Sequence, residues 1–480
     1  MIGERLSGGS PAGRLHSRYR PETEAERYID ALNPSRDVDF FILVEPGMGY
    51  LIDALRKRCP DSRAVVLHAD PAFRKFDALR PSVLAWHPGC GKTAQEFLEG
   101  AIPEGASARI IEWRPSLAEY GPACLELVRE SADFIKRAEA SRRTAAAFGR
   151  RWVRNFFRNL ALLRTALLYG HLGMPVVVAG SGPSLENALP EIRAAREGVF
   201  VLASSSSLPA LAAGGVMPDM AICADGGGWA PMHLHACFRM GEAGRPLKLA
   251  GVLCAALPSR CSELPILPVC DGSLWQTLAL RAARVPSAIV PQRGTVTASA
   301  LELAFALGAG GVFLAGVDLS VEGIRSHARP YGFDHLFSGA ASRLLPAYSQ
   351  AFARSRGIRE GGSHEIYAAW FRSRLGAWHG RVFSLGGGNG VFERGPPLAR
   401  FARARSARNG ETFREFPLPC SPAQRRASAL RALLDALKDP RHTARLVGEL
   451  APLLFPPRGD ASAAAMEEAL RGIAGRRAAR

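Results

Sequence analysis

The sequence has no two cysteines at the C-x-x-C spacing that zinc ribbons and thioredoxin-like redox motifs require. Its nine cysteines are an odd number and are spread between residues 59 and 420. Both of those motif classes are therefore excluded. Reduced thiols are the simplest interpretation, and they are typical of a cytoplasmic protein.

Long apolar runs are also missing. A membrane-spanning helix needs about 20 consecutive apolar residues. The nearest approach, residues 298–317, contains Glu302 and three glycines between residues 308 and 311, so it predicts a helix, a turn and a buried strand instead. The first residues lack the apolar centre of a secretory signal. We expect a soluble, cytoplasmic protein without a membrane span.

Acidic residues are scarce relative to basic ones. The chain has 61 Lys and Arg against 44 Asp and Glu, which gives a net charge of +17. Most of the excess lies in residues 131–170 and 401–480. These segments lack helix-turn-helix, zinc-finger and RNA-recognition patterns, so we expect no nucleic-acid partner. Their charge indicates surface chemistry, solubility or an acidic protein partner.

Strand and helix patterns alternate in two parts of the chain. In the first, an apolar run at 38–44 is followed by Gly47-Met48-Gly49, a helical pattern at 50–58 and a second apolar run at 64–68. This order is typical of a nucleotide-binding half unit. In the second part, apolar runs alternate with helical patterns from Pro175 onwards, and this predicts a doubly wound parallel sheet.

The fold class that follows is α/β, with two Rossmann-like parallel-sheet domains joined by helices and a C-terminal helical segment. Helical spacing of apolar residues predicts linking helices between the two sheets. The predicted domains are residues 1–120, 121–173, 174–395 and 396–480.

Ligands of parallel sheets bind outside the carboxyl ends of the strands, so the informative residues follow the apolar runs. In the second domain these candidates are Gly180, Ser181, Gly182, Pro183 and Ser184, then Ser205, Ser206, Asp225 and Asp318. We expect them to converge on one crevice. Two further candidates are His327, on a loop after Asp318, and Thr295, just before a helical pattern.

Each candidate has a structural alternative. The glycine-containing turn at 180–184 suits a phosphate next to a helix N-terminus, and it suits a plain structural turn equally. Asp225 and Asp318 fit Mg²⁺ coordination or general-base catalysis, and they also fit helix capping. His327 suits catalysis or a structural role. His233, His235 and Cys237 lack a second pair of metal ligands, so we expect surface residues there.

Taken together, these motifs resemble the motility accessory factor (Maf) family, whose central domain is also described as 6-hydroxymethylpterin diphosphokinase-like. The resemblance is carried by VVVAGSGPSLENALPEI (176–192), MPDMAICADGG (217–227) and the segment 293–320 followed by His327. It extends outward to the HSRYRPETEAE opening (16–26), to Trp152, Asn155 and Asn159, and to VFSLGGGNGVFERG (382–395).

The resemblance implies a glycosyltransferase that moves a nonulosonic, sialic-acid-like sugar from a CMP-activated donor to Ser or Thr of flagellin. Gly180, Gly182, Pro183 and Ser184 would hold the nucleotide phosphate, and Ser205 and Ser206 would line the base or ribose. Asp225 and Asp318 would flank the donor, while Thr295 and His327 would face the sugar or the acceptor hydroxyl. Mg²⁺ is a candidate cofactor.

The chain departs from the family pattern at one position. The first unit of the family tends to read G-x-G-x-G, whereas Glu45 stands here at the first glycine position. Its carboxylate would lie near the negative groups of a cofactor. We therefore expect a structural domain in place of a methyl-donor or dinucleotide site.

The sequence is also compatible with two other functions. A diphosphokinase would move diphosphate from ATP to a hydroxymethylpterin, although the pterin enzyme resembles the central domain alone. A flagellar accessory scaffold would keep the fold without turnover.

Overall fold

The computed structural model describes residues 15–77, 80, 82–102, 106–240, 247–291, 294–360, 363–386, 391–401, 412–456 and 462–475. Two compact units divide the chain, residues 1–145 and residues 146–480. Their boundary falls within the predicted linking segment 121–173. None of the helices in the described ranges combines the length and the apolar character needed to cross a membrane.

The first unit contains a four-stranded parallel sheet in the order β3-β2-β1-β4. Its strands are β1 (Phe40–Val44), β2 (Arg63–Leu67), β3 (Leu84–Trp86) and β4 (Ala108–Glu112). The helices are Pro21–Leu32, Tyr50–Arg58, Arg74–Asp77 and Ala94–Ala101. All five residues of β1 are buried, because β1 is an inner strand with neighbours on both sides.

Glu45 lies directly after β1 and is fully buried. Its carboxylate accepts hydrogen bonds from the backbone N–H groups of Ala69 (2.8 Å) and Asp70 (3.0 Å) at the end of β2. The Nδ1 atom of His68 lies 3.0 Å from the same carboxylate. The N–H groups at this edge of the sheet are therefore satisfied by the protein's own side chain. This arrangement supports the expectation of a structural role for the unit.

A long helical segment, Arg114–Leu162, follows β4 and is interrupted by a non-helical Gly121. The sequence predicted further helix up to residue 173, and this is wrong for residues 165–169. Thr165–Tyr169 forms β5, which pairs antiparallel with β14 (Phe413–Pro417). Since the partner strand lies almost 250 residues further along the chain, no local pattern could reveal the pairing.

The second unit is built on an eight-stranded sheet in the order β11-β10-β9-β8-β7-β6-β12-β13. All of its strand pairs are parallel. The strands are β6 (Pro175–Ala179), β7 (Phe200–Ser204), β8 (Met220–Cys223), β9 (Lys248–Val252), β10 (Ile266–Cys270), β11 (Ala288–Ile289), β12 (Gly311–Ala315) and β13 (Val382–Ser384).

Helices accompany this sheet at Leu185–Ala194, Leu208–Ala213, Pro231–Met240, Leu274–Ala283, Val296–Ala306, Asp334–Gly339, Ala347–Glu360 and Ser363–Trp378. The predicted mixed α/β class, with parallel sheets and C-terminal helices, is confirmed.

Three helices form most of the described C-terminal segment, Pro422–Lys438, Pro440–Leu454 and Ala463–Gly475. Their apolar side chains belong to the same core as the eight-stranded sheet. The buried guanidinium of Arg425 donates hydrogen bonds to the carbonyl oxygens of Leu160 (2.8 Å) and Leu163 (2.5 Å). The segment is thus an integral part of the second unit.

Candidate active site

The order of the strands places a topological switch point between β6 and β12. The chain runs from β6 outward to β11, then returns to the other side of β6 to form β12 and β13. In doubly wound sheets the ligand crevice lies at such a point, outside the carboxyl ends of the two strands. The turn at 180–184 follows β6, and Asp318 lies three residues after β12, so the sequence-predicted turn and acid meet at this point.

The two strand ends approach each other closely because both carry glycine. A Cβ atom at Gly316 would lie 2.5 Å from the carbonyl oxygen of Gly180, and Gly316 also has a positive φ of 66°. The N–H of Gly182 donates to the carbonyl of Gly316 (2.8 Å). The glycines therefore allow the backbones after the two strands to approach each other, which agrees with the structural interpretation of the turn.

Asp318 lies at the N-terminus of the helix Leu185–Ala194. One of its carboxylate oxygens accepts a hydrogen bond from the backbone N–H of Ser184 at 3.0 Å. The hydroxyl of Ser184 makes no capping hydrogen bond. Asp318 supplies the negative charge that the helix end favours. An incoming phosphate would bind beside this carboxylate or displace it.

The close fit of Asp318 over Gly182 gives a testable consequence. A Cβ atom at Gly182 would overlap the Asp318 carboxylate, so Gly182→Ala must push that side chain away from Ser184. We expect a loss of about 1–3 kcal/mol in the free energy of unfolding, measured by urea titration. Gly376→Ala is the matched control, because nothing lies within 4 Å of a Cβ there. Equal stabilities of the two variants would contradict the packing described.

The serines at the end of β7 differ in exposure. Ser205 and Ser207 are buried, and the Ser207 hydroxyl donates to the carbonyl oxygens of Ala179 (3.0 Å) and Ser204 (2.8 Å). Ser207 thereby joins the ends of β6 and β7. Ser206 is half-buried, and its hydroxyl lies 3.2 Å from that of Ser204. Of the two predicted serines after β7, Ser206 is therefore more accessible to solvent than Ser205.

Asp225 is exposed just after β8, and its carboxylate accepts a hydrogen bond from the Gly227 N–H at 2.7 Å. Gly226 is buried against the indole of Trp152, which leaves no room for a Cβ atom. Asn155 donates from its side chain to the carbonyls of Cys254 (3.1 Å) and Gly226 (3.4 Å).

Asn159 lies one helical turn beyond Asn155 and donates to the carbonyls of Leu253 (2.9 Å) and Ala255 (2.8 Å). Since side chains four residues apart share a helix face, the two asparagines together hold the loops that follow β8 and β9. In the sequence the two asparagines contributed only to the family resemblance, and this positioning role was missed.

His327 lies against the phenol ring of Tyr331, with ring centroids 4.0 Å apart. Its Nδ1 atom is 2.8 Å from the Ser326 hydroxyl. Burial lowers the pKa of His327 to about 4, and the neighbouring His233 and His364 add to this effect. The imidazole is therefore neutral near pH 7 and can accept a proton. Burial also raises the pKa of Tyr331 to about 12, so its phenol remains a hydrogen-bond donor.

Sequence reasoning missed two histidines at this site. His233 was expected at the surface, but it is 8% exposed, and its Nδ1 atom has no hydrogen-bond partner within the described ranges. Its ring packs against Phe333, with a centroid distance of 4.7 Å. His364 comes from the helix Ser363–Trp378. Nothing in the sequence connected either residue with His327, because they approach it only through the fold.

The charges of Asp225 and Asp318 affect the pKa values of His233 and His364. Burial lowers the pKa of His233, and the charge of Asp225 opposes the shift. Burial likewise lowers the pKa of His364, and Asp318 opposes it. The structure thus gathers His327, the two aspartates and two additional histidines at one end of the sheet. No three His, Cys, Asp or Glu side chains in the described part of the chain are arranged to hold a metal ion.

Thr295 has a capping role. It is the N-cap of the helix Val296–Ala306, and its hydroxyl accepts a hydrogen bond from the N–H of Ala298 at 3.0 Å. Arg293, the first residue of the segment 293–320, lies outside the described residues, as do residues 387–390 of the segment 382–395.

Two proteins of Treponema pallidum (strain Nichols), both described as uncharacterized, are 26% identical to this chain. One alignment covers 287 residues, 59% of this chain and 61% of that protein. The other covers 139 residues, 28% of this chain and 66% of that protein. The chain therefore spans less than two thirds of the length of either relative.

A solved structure of the Maf glycosyltransferase from Magnetospirillum magneticum AMB-1 is similar to this chain with a TM-score of 0.45 and 14% sequence identity. The match covers 97% of this chain and 80% of that one. A family model described as 6-hydroxymethylpterin diphosphokinase MptE-like matches residues 151–323, which include β6 to β12 and the switch point. Residues 151–323 are therefore similar to the MptE-like family, as the central motifs indicated.

Proposed function

We propose that this protein is a Maf-like glycosyltransferase that transfers a nonulosonic sugar from a CMP-activated donor to Ser or Thr of flagellin. The observation that carries the proposal is the meeting of the Gly180–Ser184 turn, Asp318 and the loop of His327 at the switch point, where the N–H of Ala328 donates to the carbonyl of Ser181 (2.8 Å). On one side of this crevice lies a helix end whose Ser184 N–H is bonded to Asp318 until an anion displaces that carboxylate, and on the other side lies a proton acceptor.

The chemistry requires one bond to break and one to form. The bond between the anomeric carbon and the phosphate oxygen breaks, and CMP leaves with the electron pair. The acceptor hydroxyl oxygen forms the new bond to the anomeric carbon, and His327 takes the proton. When the phosphate displaces Asp318, the N–H of Ser184 and the phenol of Tyr331 stabilise the charge that the leaving phosphate gains.

The thiols are consistent with a cytoplasmic setting for this reaction. All nine cysteines are free, and seven of them are buried. Free thiols persist in reducing compartments, whereas secreted proteins tend to oxidise them to disulfides.

A second candidate function comes from the description of the family model, which refers to a 6-hydroxymethylpterin diphosphokinase. That reaction would transfer diphosphate from ATP to the pterin hydroxyl, and it would use the same switch-point crevice. It predicts binding of ATP and a pterin, whereas the glycosyltransferase predicts binding of cytidine nucleotides.

A thermal-shift screen with CMP, CTP, ATP and a hydroxymethylpterin, each with and without Mg²⁺, separates these functions. A ligand present at 100 times its Kd stabilises the folded state by about 2.7 kcal/mol, so the melting temperature should rise with CMP. A response to ATP and pterin alone would contradict the glycosyltransferase. No response to any nucleotide would favour a scaffold without turnover. Dependence on Mg²⁺ would indicate a metal ion in the bound state.

A further inference from the structure

Exposed apolar side chains are concentrated in one short stretch of the second unit. We name it the 336–352 ridge, and its members are Leu336, Leu344, Leu345, Tyr348 and Phe352, whose exposed fractions range from 39% to 95%. Single exposed apolar residues are normal on a protein surface, but a cluster of this kind marks an interaction site.

The ridge is left uncovered because its helix buries little. Ala351 and Ser355 are the buried residues described for the helix Ala347–Glu360. Tyr348 and Phe352 lie one turn apart on the same helix, and their rings stack with centroids 6.5 Å apart. Two aromatic side chains side by side provide a large apolar contact area at a small cost in side-chain entropy.

Ring contacts connect the ridge to the candidate active site. His327 stacks on Tyr331, Tyr331 contacts Phe333 at 5.5 Å, and Phe333 contacts Phe337 at 6.3 Å. Phe337 is the direct neighbour of Leu336 in the helix Asp334–Gly339. A series of ring contacts therefore runs from His327 to the helix that carries Leu336.

Charges around the ridge define the chemistry of its partner. Residues 321–360 contain six arginines and three acidic residues. Two of these arginines already pair with carboxylates, Arg325 with Glu186 and Arg356 with Glu360. The guanidinium of Arg354 lies 3.7 Å from the ring centroid of Phe337, where it combines positive charge with an aromatic surface. Residues 336–352 contain Arg343 and no acidic residue, and we name Arg343 and Arg354 the arginine rim. An apolar ridge with this positively charged rim is complementary to an acidic amphipathic segment.

We propose that the 336–352 ridge docks an acidic amphipathic segment of the acceptor protein and so brings its Ser or Thr hydroxyl to His327. This inference rests on the proposed function and adds where the polypeptide binds. The apolar face of the segment packs on Tyr348 and Phe352, and its acidic residues face the arginine rim. Donor binding at the switch point requires none of these contacts.

The test measures binding to purified flagellin from the source organism, produced without its sugar, by biolayer interferometry. The full-length Tyr348→Glu/Phe352→Glu variant should bind at least about tenfold more weakly than the wild type, because it removes apolar contact and adds negative charge beside an acidic partner. The stabilisation by CMP should be unchanged. Leu125→Glu is the matched control, since Leu125 is exposed to a similar extent in the first unit.

Equal affinities of the double variant and the wild type would overturn the proposal. So would a wild-type protein that is stabilised by CMP yet does not bind flagellin, and this result would leave the donor part of the proposed function standing. Conversely, flagellin binding that depends on the ridge, without any response to CMP, would support the docking site and contradict the donor. Binding to vesicles that contain phosphatidylglycerol tests whether a membrane occupies the ridge, and sedimentation velocity tests whether a second copy of the chain does. Ridge-dependent binding to vesicles, or ridge-dependent dimerisation, would overturn the proposal in favour of a membrane or a second copy.

Discussion

His327→Ala should slow sugar transfer to flagellin by about 10²- to 10⁴-fold, the usual contribution of a positioned general base. The imidazole is neutral near pH 7, because burial and two neighbouring histidines lower its pKa to about 4. An anionic donor bound nearby would favour the protonated ring and raise this pKa. Transfer is measured by mass spectrometry of flagellin, with the CMP-dependent thermal shift as a check on donor binding.

The control for this experiment is His335→Ala, which removes an exposed histidine eight residues away. It should transfer at the wild-type rate. Asp318→Asn completes the series, because it removes the charge at the helix end and keeps an oxygen that can accept from Ser184. If His327→Ala and Asp318→Asn both glycosylate flagellin normally, the assignment of the site is wrong.

The pH profile provides an independent measurement. In the free enzyme the proton acceptor is lost as the pH falls through about 4, so kcat/KM should fall there and stay level between pH 6 and 8. The decline of kcat should occur at a higher pH, since it reports the donor complex. A kcat profile that declines at the same pH as kcat/KM would contradict the influence of the donor on His327.

Glu45→Ala should destabilise the first unit by about 3–5 kcal/mol, the range for removing one partner of a buried ion pair. The substitution leaves the N–H groups of Ala69 and Asp70 without their acceptor and separates His68 from one of its two carboxylates. Amides of β1 and β2 should then exchange with deuterium about 10²- to 10⁴-fold faster, measured at one pH by peptide-resolved mass spectrometry. Glu112→Ala, at the exposed end of β4, is the control.

His68 makes the stability of this unit depend on pH. Burial acts to lower its pKa, but hydrogen bonds with Asp77 and Glu45 outweigh burial and raise the pKa to about 9. The pKa in the unfolded chain is about 6.5. The contribution of the protonated ring is therefore complete below about pH 6.5 and is lost as the pH rises through 9. The urea concentration at the midpoint of unfolding of the first unit should decrease as the pH is raised from 6.5 to 9.5. His68→Gln should abolish this dependence on pH. A wild-type midpoint that does not change would contradict a charged His68.

Much of the second sheet could be predicted from the sequence because its signals are local. The strands β6, β7, β8 and β12 coincide with apolar runs that are followed by glycine, serine or aspartate. The same rule drew attention to Asp225 and Asp318, since residues after parallel strands meet at one edge of the sheet. Local patterns failed at Thr165–Tyr169, where a short apolar run fits a helix and a strand equally well.

The chemical roles of individual residues depend on contacts between distant parts of the chain. The sequence by itself determined the α/β class, the alternation of strands and helices, and the group of residues at the strand ends, because these follow from periodicity and from backbone rules that act over a few residues. Only the tertiary structure decided that Asp318 accepts from Ser184 at the helix end and that His233 and His364 lie near His327. It also decided that the Glu45 carboxylate accepts the hydrogen bonds of the N–H groups that follow β2. Hydrogen bonding and burial depend on residues that lie tens to hundreds of positions apart, and no local pattern encodes such distances.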